Sequence, residues 1–122
     1  MSDIYKHRVR LRPYEYPELI EYRTTIRTSR WHVEEFDFGE DVQDFHTAMD
    51  EKERNAIKNA MLAISQIEAE GVKTFWSKVY DMFPKPEISA VGVTFAENEQ
   101  THAESYSELL NILDRDWETL RF

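Results

Sequence analysis

The 122-residue chain carries 24 acidic against 15 basic side chains, a formal net charge of −9, with 41% hydrophobic residues, 3 Gly, 4 Pro and no Cys. Such a length supports one domain or part of one. The lack of cysteine excludes a disulfide framework, a thiolate metal site and a redox-active thiol, and acidity spread along the whole chain argues against a phosphate-tracking nucleic-acid surface. The N-terminus, Met1 to Arg8, lacks the apolar run of a signal peptide, and no segment approaches the roughly 20 apolar residues of a membrane span. The expectation is a soluble, cytoplasmic protein with no nucleic-acid or membrane partner.

Taken in chain order, residues 1–16 read as an extended arm, with Pro13 and the tyrosines Tyr5, Tyr14 and Tyr16 set among charged residues. Its basic cluster, Lys6 to Arg12, reads as solvated. Pro17 suits the first turn of a helix over 17–28, with Leu19, Tyr22 and Ile26 on one face. Trp31 to Asp37 is connector, and Gly39 to Phe45 suits a short helical turn. Asp50 then opens a long helix as its N-cap, with Glu53 three residues on completing a capping box. No breaker intervenes before Pro84, which predicts a helix over 51–82, about 45 Å long at 1.5 Å per residue. A second long helix runs from Pro86-Glu87 to Leu113, and the short Phe83-Pro-Lys-Pro86 link makes the two antiparallel neighbours. Few breakers and helical spacing throughout make the class all-α.

The apolar stripes single out a few polar residues. Ile57, Met61, Ile64, Phe75 and Val79 form the stripe of the first long helix, and Glu68 falls within it. Val91, Phe95, His102, Tyr106, Leu109 and Leu113 form that of the second, with Glu99 four residues after Phe95. Two carboxylates are thus turned inward, although an unpaired buried carboxylate costs several kcal/mol. Each has an ordinary explanation alone: Glu68 as a boundary residue with a snorkelling head, His102 as a satisfied core histidine, Tyr106 as a packed aromatic. Together they suggest a metal, because oxygen and imidazole donors suit a hard or borderline divalent ion. Glu99-x-x-His102 is the pair that carboxylate-bridged di-metal bundles draw from each of two helices, with one further Glu from each of two others. Glu70 reads as solvent-facing, yet Gly71 beside it could mark a π-bulge, in which case Glu70 would replace Glu68 as ligand.

These residues carry a family resemblance. Arg12-Pro-Tyr-Glu-Tyr-Pro-Glu18, Trp31-His-Val-Glu-Glu35 through Asp44-Phe-His46, Gln66-Ile-Glu68 with Lys73-Thr-Phe-Trp76, and Pro84-Lys-Pro-Glu87 followed by Phe95-Ala-Glu97-x-Glu99-x-x-His102 and Tyr106 run in one order. The chain resembles the N-terminal half of the radical-generating small subunit of class I ribonucleotide reductase. It is most similar to the bacterial branch with a dimanganese cofactor. The resemblance implies an incomplete ferritin-like helical bundle over residues 17–122, formed by two long antiparallel helices and a short one, with the arm laid over it. It implies a di-metal centre of Mn or Fe, as Mn/Mn, Fe/Fe or a mixed pair. In it Glu68 would be the terminal carboxylate of the first metal, Glu99 the bridging carboxylate and His102 the imidazole ligand. Tyr106 takes the place of the tyrosine oxidised in tyrosyl-radical members, and Trp31 that of the tryptophan on the electron-transfer route.

Two departures accompany the resemblance. Ala69-Glu70-Gly71 holds one residue more than the bacterial branch, and Asp116 to Phe122 diverges from the family sequence. The family's second carboxylate and second Glu-x-x-His, carried on later helices, do not occur within these 122 residues. Three arrangements follow as expectations. A second polypeptide supplies the C-terminal half, two copies of this chain build a symmetric di-metal oxidase, or the chain is a non-catalytic binding or regulatory remnant. The first is preferred, giving an oligomer inactive as an isolated chain, with the ribonucleotide reductase large subunit as a further partner.

Overall fold

The computed structural model describes residues 3–114. Among them the regular structure is entirely helical. Helix α1 (Pro17–Thr28) starts with proline in its first turn. A 3₁₀ turn (Val33–Glu35) and helix α2 (Gly39–Thr47) follow. Helix α3 (Glu51–Gln66) opens on the expected box: Asp50 Oδ1 accepts from the Glu53 N–H at 2.8 Å, and Glu53 Oε2 accepts from the Asp50 N–H at 3.0 Å.

The helix expected over 51–82 is not uniform. After Gln66 it widens into a π-helical segment, Ile67–Val72, in which the Lys73 N–H donates to the Glu68 carbonyl five residues back. It then continues as α4 (Lys73–Ser77), breaks at Lys78 and ends in α5 (Val79–Met82). A wide turn absorbs one extra residue without unravelling the helix on either side, and this one spans Ala69-Glu70-Gly71. Its cost appears in the stripe. Phase passes to the next residue, so Trp76 rather than Phe75 packs inward, stacking on Phe95 with ring centroids 4.6 Å apart, while Phe75 is 51% exposed. Ile64 and Ile67 are exposed as well. Tyr22, grouped with Leu19 and Ile26 on one face of α1, is 60% exposed.

Helix α6 (Pro86–Leu113) is the axis of the fold, and α1, α3, α4 and α5 all pack on it. It packs closely at Gly92, where a Cβ would lie 2.5 Å from Val79 Cγ1 and 2.6 Å from the Trp76 carbonyl oxygen. Only a glycine lets the two rods meet there. Farther along, the Ser65 hydroxyl donates to the Ala103 carbonyl across the same seam at 3.0 Å.

The arm is not merely solvated. Arg8, at its centre, pairs with the fully buried Glu87 in the first turn of α6 and with Glu15 at 3.0 Å. Glu87 Oε2 also accepts the backbone N–H groups of Glu15 and Tyr16, at 2.9 and 3.0 Å, and the buried Lys85 ammonium reaches Glu15 at 3.2 Å. Lys6, Arg10 and Arg12 remain exposed. Backbone groups of an extended arm need partners, and one carboxylate at the start of α6 supplies two of them.

Two stability changes follow. Gly92→Ala should lower unfolding free energy in denaturant titrations by about 1–3 kcal/mol, the range for overpacking. Glu87→Ala leaves Arg8 with Glu15 as its one carboxylate partner and two backbone N–H groups unsatisfied, and should cost about 3 kcal/mol by the same measurement, the low end for removing one member of a buried ion pair.

Candidate metal centre

Glu99 and His102 lie one turn apart in the middle of α6, and the π segment places Glu68 opposite them. The Glu99 and Glu68 Oε2 atoms both address the same nitrogen, His102 Nδ1, at 3.3 and 3.5 Å. One donor atom from each of the three residues lies within 4.8 Å of the others. Both carboxylates are largely buried, with side chains 17% (Glu68) and 15% (Glu99) exposed. Glu70, the alternative ligand, is exposed. The π-bulge is therefore present, but Glu68 is the carboxylate it turns toward α6.

This cluster is not self-sufficient. A single Nδ1 hydrogen cannot serve two carboxylates at once, and Glu68 Oε2 is a buried oxygen with no hydrogen-bond partner among the described residues. Burial pushes the Glu68 carboxyl above its ordinary range; the adjoining His102 opposes that shift and the Glu99 charge adds to it. Two carboxylates and an imidazole with one oxygen left orphaned fit a divalent cation of the Mn or Fe type, which would satisfy all three donors together.

The other two sequence candidates border the same place. Trp31 lies flat against His102, centroids 5.9 Å apart and planes 21° apart. Tyr106, half-buried one turn after His102, lines an open pocket of about 330 Å³ with Trp31, Glu68 and His102. The sequence reading missed Val33, Phe36 and Phe38, which complete the apolar wall of that pocket. Phe36 braces Trp31 edge-on at 5.5 Å. Their signal was available: Phe36-Asp-Phe38 follows Trp31 in a connector otherwise rich in charge.

A sequence model of the family "Ribonucleotide reductase, small chain" matches residues 8–121. The chain belongs to that family. Its curated relatives include the probable ribonucleoside-diphosphate reductase small subunit 048L of Invertebrate iridescent virus 3, 25% identical over 107 residues and 88% of this chain. Another is the corresponding protein 376L of Invertebrate iridescent virus 6, 24% identical over 102 residues and 84% of this chain. The chain spans 28% of the length of each of these relatives. Small chains of this family generally bind a di-metal centre. Within an incomplete ferritin-like bundle, the Glu68, Glu99 and His102 cluster is the place in the described residues with donors for one.

Placing like charges together is a cost of folding in the absence of metal. Glu68→Gln should therefore stabilise the metal-free chain by about 1 kcal/mol, the scale of relieving a strained functional site, as read by calorimetry. A fall in melting temperature would instead make Glu68 an ordinary structural residue.

Proposed function

We propose that this chain forms one side of the di-metal centre of a ribonucleotide reductase small subunit, and so takes part in generating or storing the oxidising equivalent used to reduce ribonucleotides. Family membership supports the class of reaction, and the orphaned Glu68 oxygen beside Glu99 and His102 supports the site. Glu68, Glu99 and His102 would be this chain's ligands to the metals. When bound, the metals supply one-electron chemistry above the divalent state. The chain's own residues do the rest.

Burial disfavours charge on Glu68 and the neighbouring Glu99 adds to that; a bound cation would offset the cost, which couples metal occupancy to local order. Trp31, stacked on His102, orients the imidazole ring and offers an oxidisable indole at the edge of the site. Tyr106 offers a phenol on the wall of the open, largely apolar pocket beside His102. Nucleotide substrate would not touch this chain; the oxidising equivalent would leave through Trp31 toward a large catalytic subunit.

A ferritin-like di-metal site uses six protein donors, and the described residues bring three together. Ile64, Ile67 and Phe75 leave an apolar strip open along the ligand-bearing α3 to α4 rod, which suits cover by further helices of the bundle. In our reading those helices carry the other donors. Manganese or iron should then reach stoichiometric occupancy only when those helices are present. Two metals bound per two copies of the purified chain would favour the symmetric dimer instead.

In the complete assembly, Glu99→Ala and His102→Ala should each abolish stoichiometric metal, measured by elemental analysis, and ribonucleotide reduction with it. Unchanged metal content and activity in both variants would end the proposal.

A further inference from the structure

Away from the metal centre, α1 and α6 enclose a second polar groove, of about 160 Å³. Its basic wall is formed by Arg23 and Arg27, four residues apart and so on one face of α1, and by Arg30 just past the end of that helix. Arg30 pairs with Glu97 of α6 at 2.5 Å. Arg23 and Arg27 have no ion-pair or hydrogen-bond partner for their guanidinium groups among the described residues. Three cations against one anion leave the groove with two uncompensated positive charges (3 − 1 = 2), in a chain whose net charge is −9. Guanidinium forks recognise carboxylates and phosphates with two parallel N–H···O bonds, so this groove selects anions from a surface that otherwise repels them.

Its shape decides which anion. The two unpaired guanidinium groups, of Arg23 and Arg27, arise about 6 Å apart along α1 at 1.5 Å per residue, while Arg30, beyond the helix end, is already held by Glu97. No helix N-terminus opens into it, so the backbone N–H donors common at phosphate sites are missing from its lining. Thr94, on the floor, already donates its hydroxyl to the Ala90 carbonyl at 2.7 Å. Between the arginines the walls are apolar, from Ile26 and the 54% exposed Val93. We propose that this groove docks an acidic segment of a partner protein, with carboxylates spaced to meet Arg23 and Arg27 and an aliphatic side chain against Ile26 and Val93. The inference stands apart from the metal centre, and none of its residues belongs to that site.

The test uses the full chain and a fluorescein-labelled peptide of alternating Glu and Leu, followed by anisotropy. The peptide should bind, should weaken steeply with added salt, and should lose about five- to tenfold in affinity to the Arg23→Gln/Arg27→Gln double variant, as expected for two exposed charge pairs. The same peptide with Gln for Glu should bind weakly to both proteins, and the variant's unchanged circular dichroism and melting temperature would show that the fold is intact. Equal affinity for the parent and double variant would overturn the proposal. Displacement of the peptide by millimolar inorganic phosphate would overturn it in favour of a simple oxyanion site. If sedimentation showed the chain to be a dimer that the double variant dissolves, the occupant would be a second copy and the proposal would likewise fall.

Discussion

Two carboxylates of like charge, Glu68 and Glu99, meet in one partly dry volume with only a single imidazole nitrogen to share. That confrontation gives the molecule its chemical meaning, and most of the architecture serves to hold it in place. The contrast with Glu87 shows why. Glu87 is more deeply buried, yet Arg8 and two backbone N–H groups meet its charge, so it acts as a structural anchor. Glu68 shares one histidine nitrogen with Glu99, at 3.5 Å, and among the described residues no Lys, Arg or backbone N–H group reaches its carboxylate. Burial is common to both residues; what separates a fastener from a candidate ligand is whether the environment finishes the job.

Holding the confrontation requires the α3 to α4 rod and α6 to keep register over several turns. Gly92 lets the rods touch at one end, the Trp76 to Phe95 stack fills the space beside it, and the Ser65 to Ala103 hydrogen bond marks the seam farther along. The π segment lies between these fixtures. It turns Glu68 toward α6 while sending Glu70 to solvent, and its wider turn leaves the helices on both sides intact. At the far end, the Arg8, Glu15, Lys85 and Glu87 network ties the arm to the start of α6. The connector after α1 then brings Trp31 against His102.

Much of this was legible in the chain. Pro17, the Asp50 and Glu53 box and Pro86 mark helix starts through local chemistry, and the structure has helices beginning at 17, 51 and 86. Glu99 and His102 could be paired from spacing alone, because a helix sets residues three apart on one face. The stripe of the first long helix was less legible. A period of 3.6 assigned Ile64 and Phe75 to the interior, and the π-turn moved the phase so that Trp76 took the inner place. The basic arm was misjudged for a different reason. Nothing local distinguishes Arg8 from Arg10; only the buried Glu87, nearly eighty residues away, does so.

Sequence by itself determined the helical class, the helix boundaries with capping signals, and the chemical types available for a site, since these depend on interactions within a turn or two. It also held the order of motifs by which the family is recognised. Tertiary structure alone decided that Glu68 rather than Glu70 stands with Glu99 and His102, that Trp31 covers the imidazole, and that the arm is fastened by a buried carboxylate. Each of those outcomes turns on a contact between residues far apart in the chain, where a shift of one position along a helix swings a side chain by about 100°, from the seam to solvent.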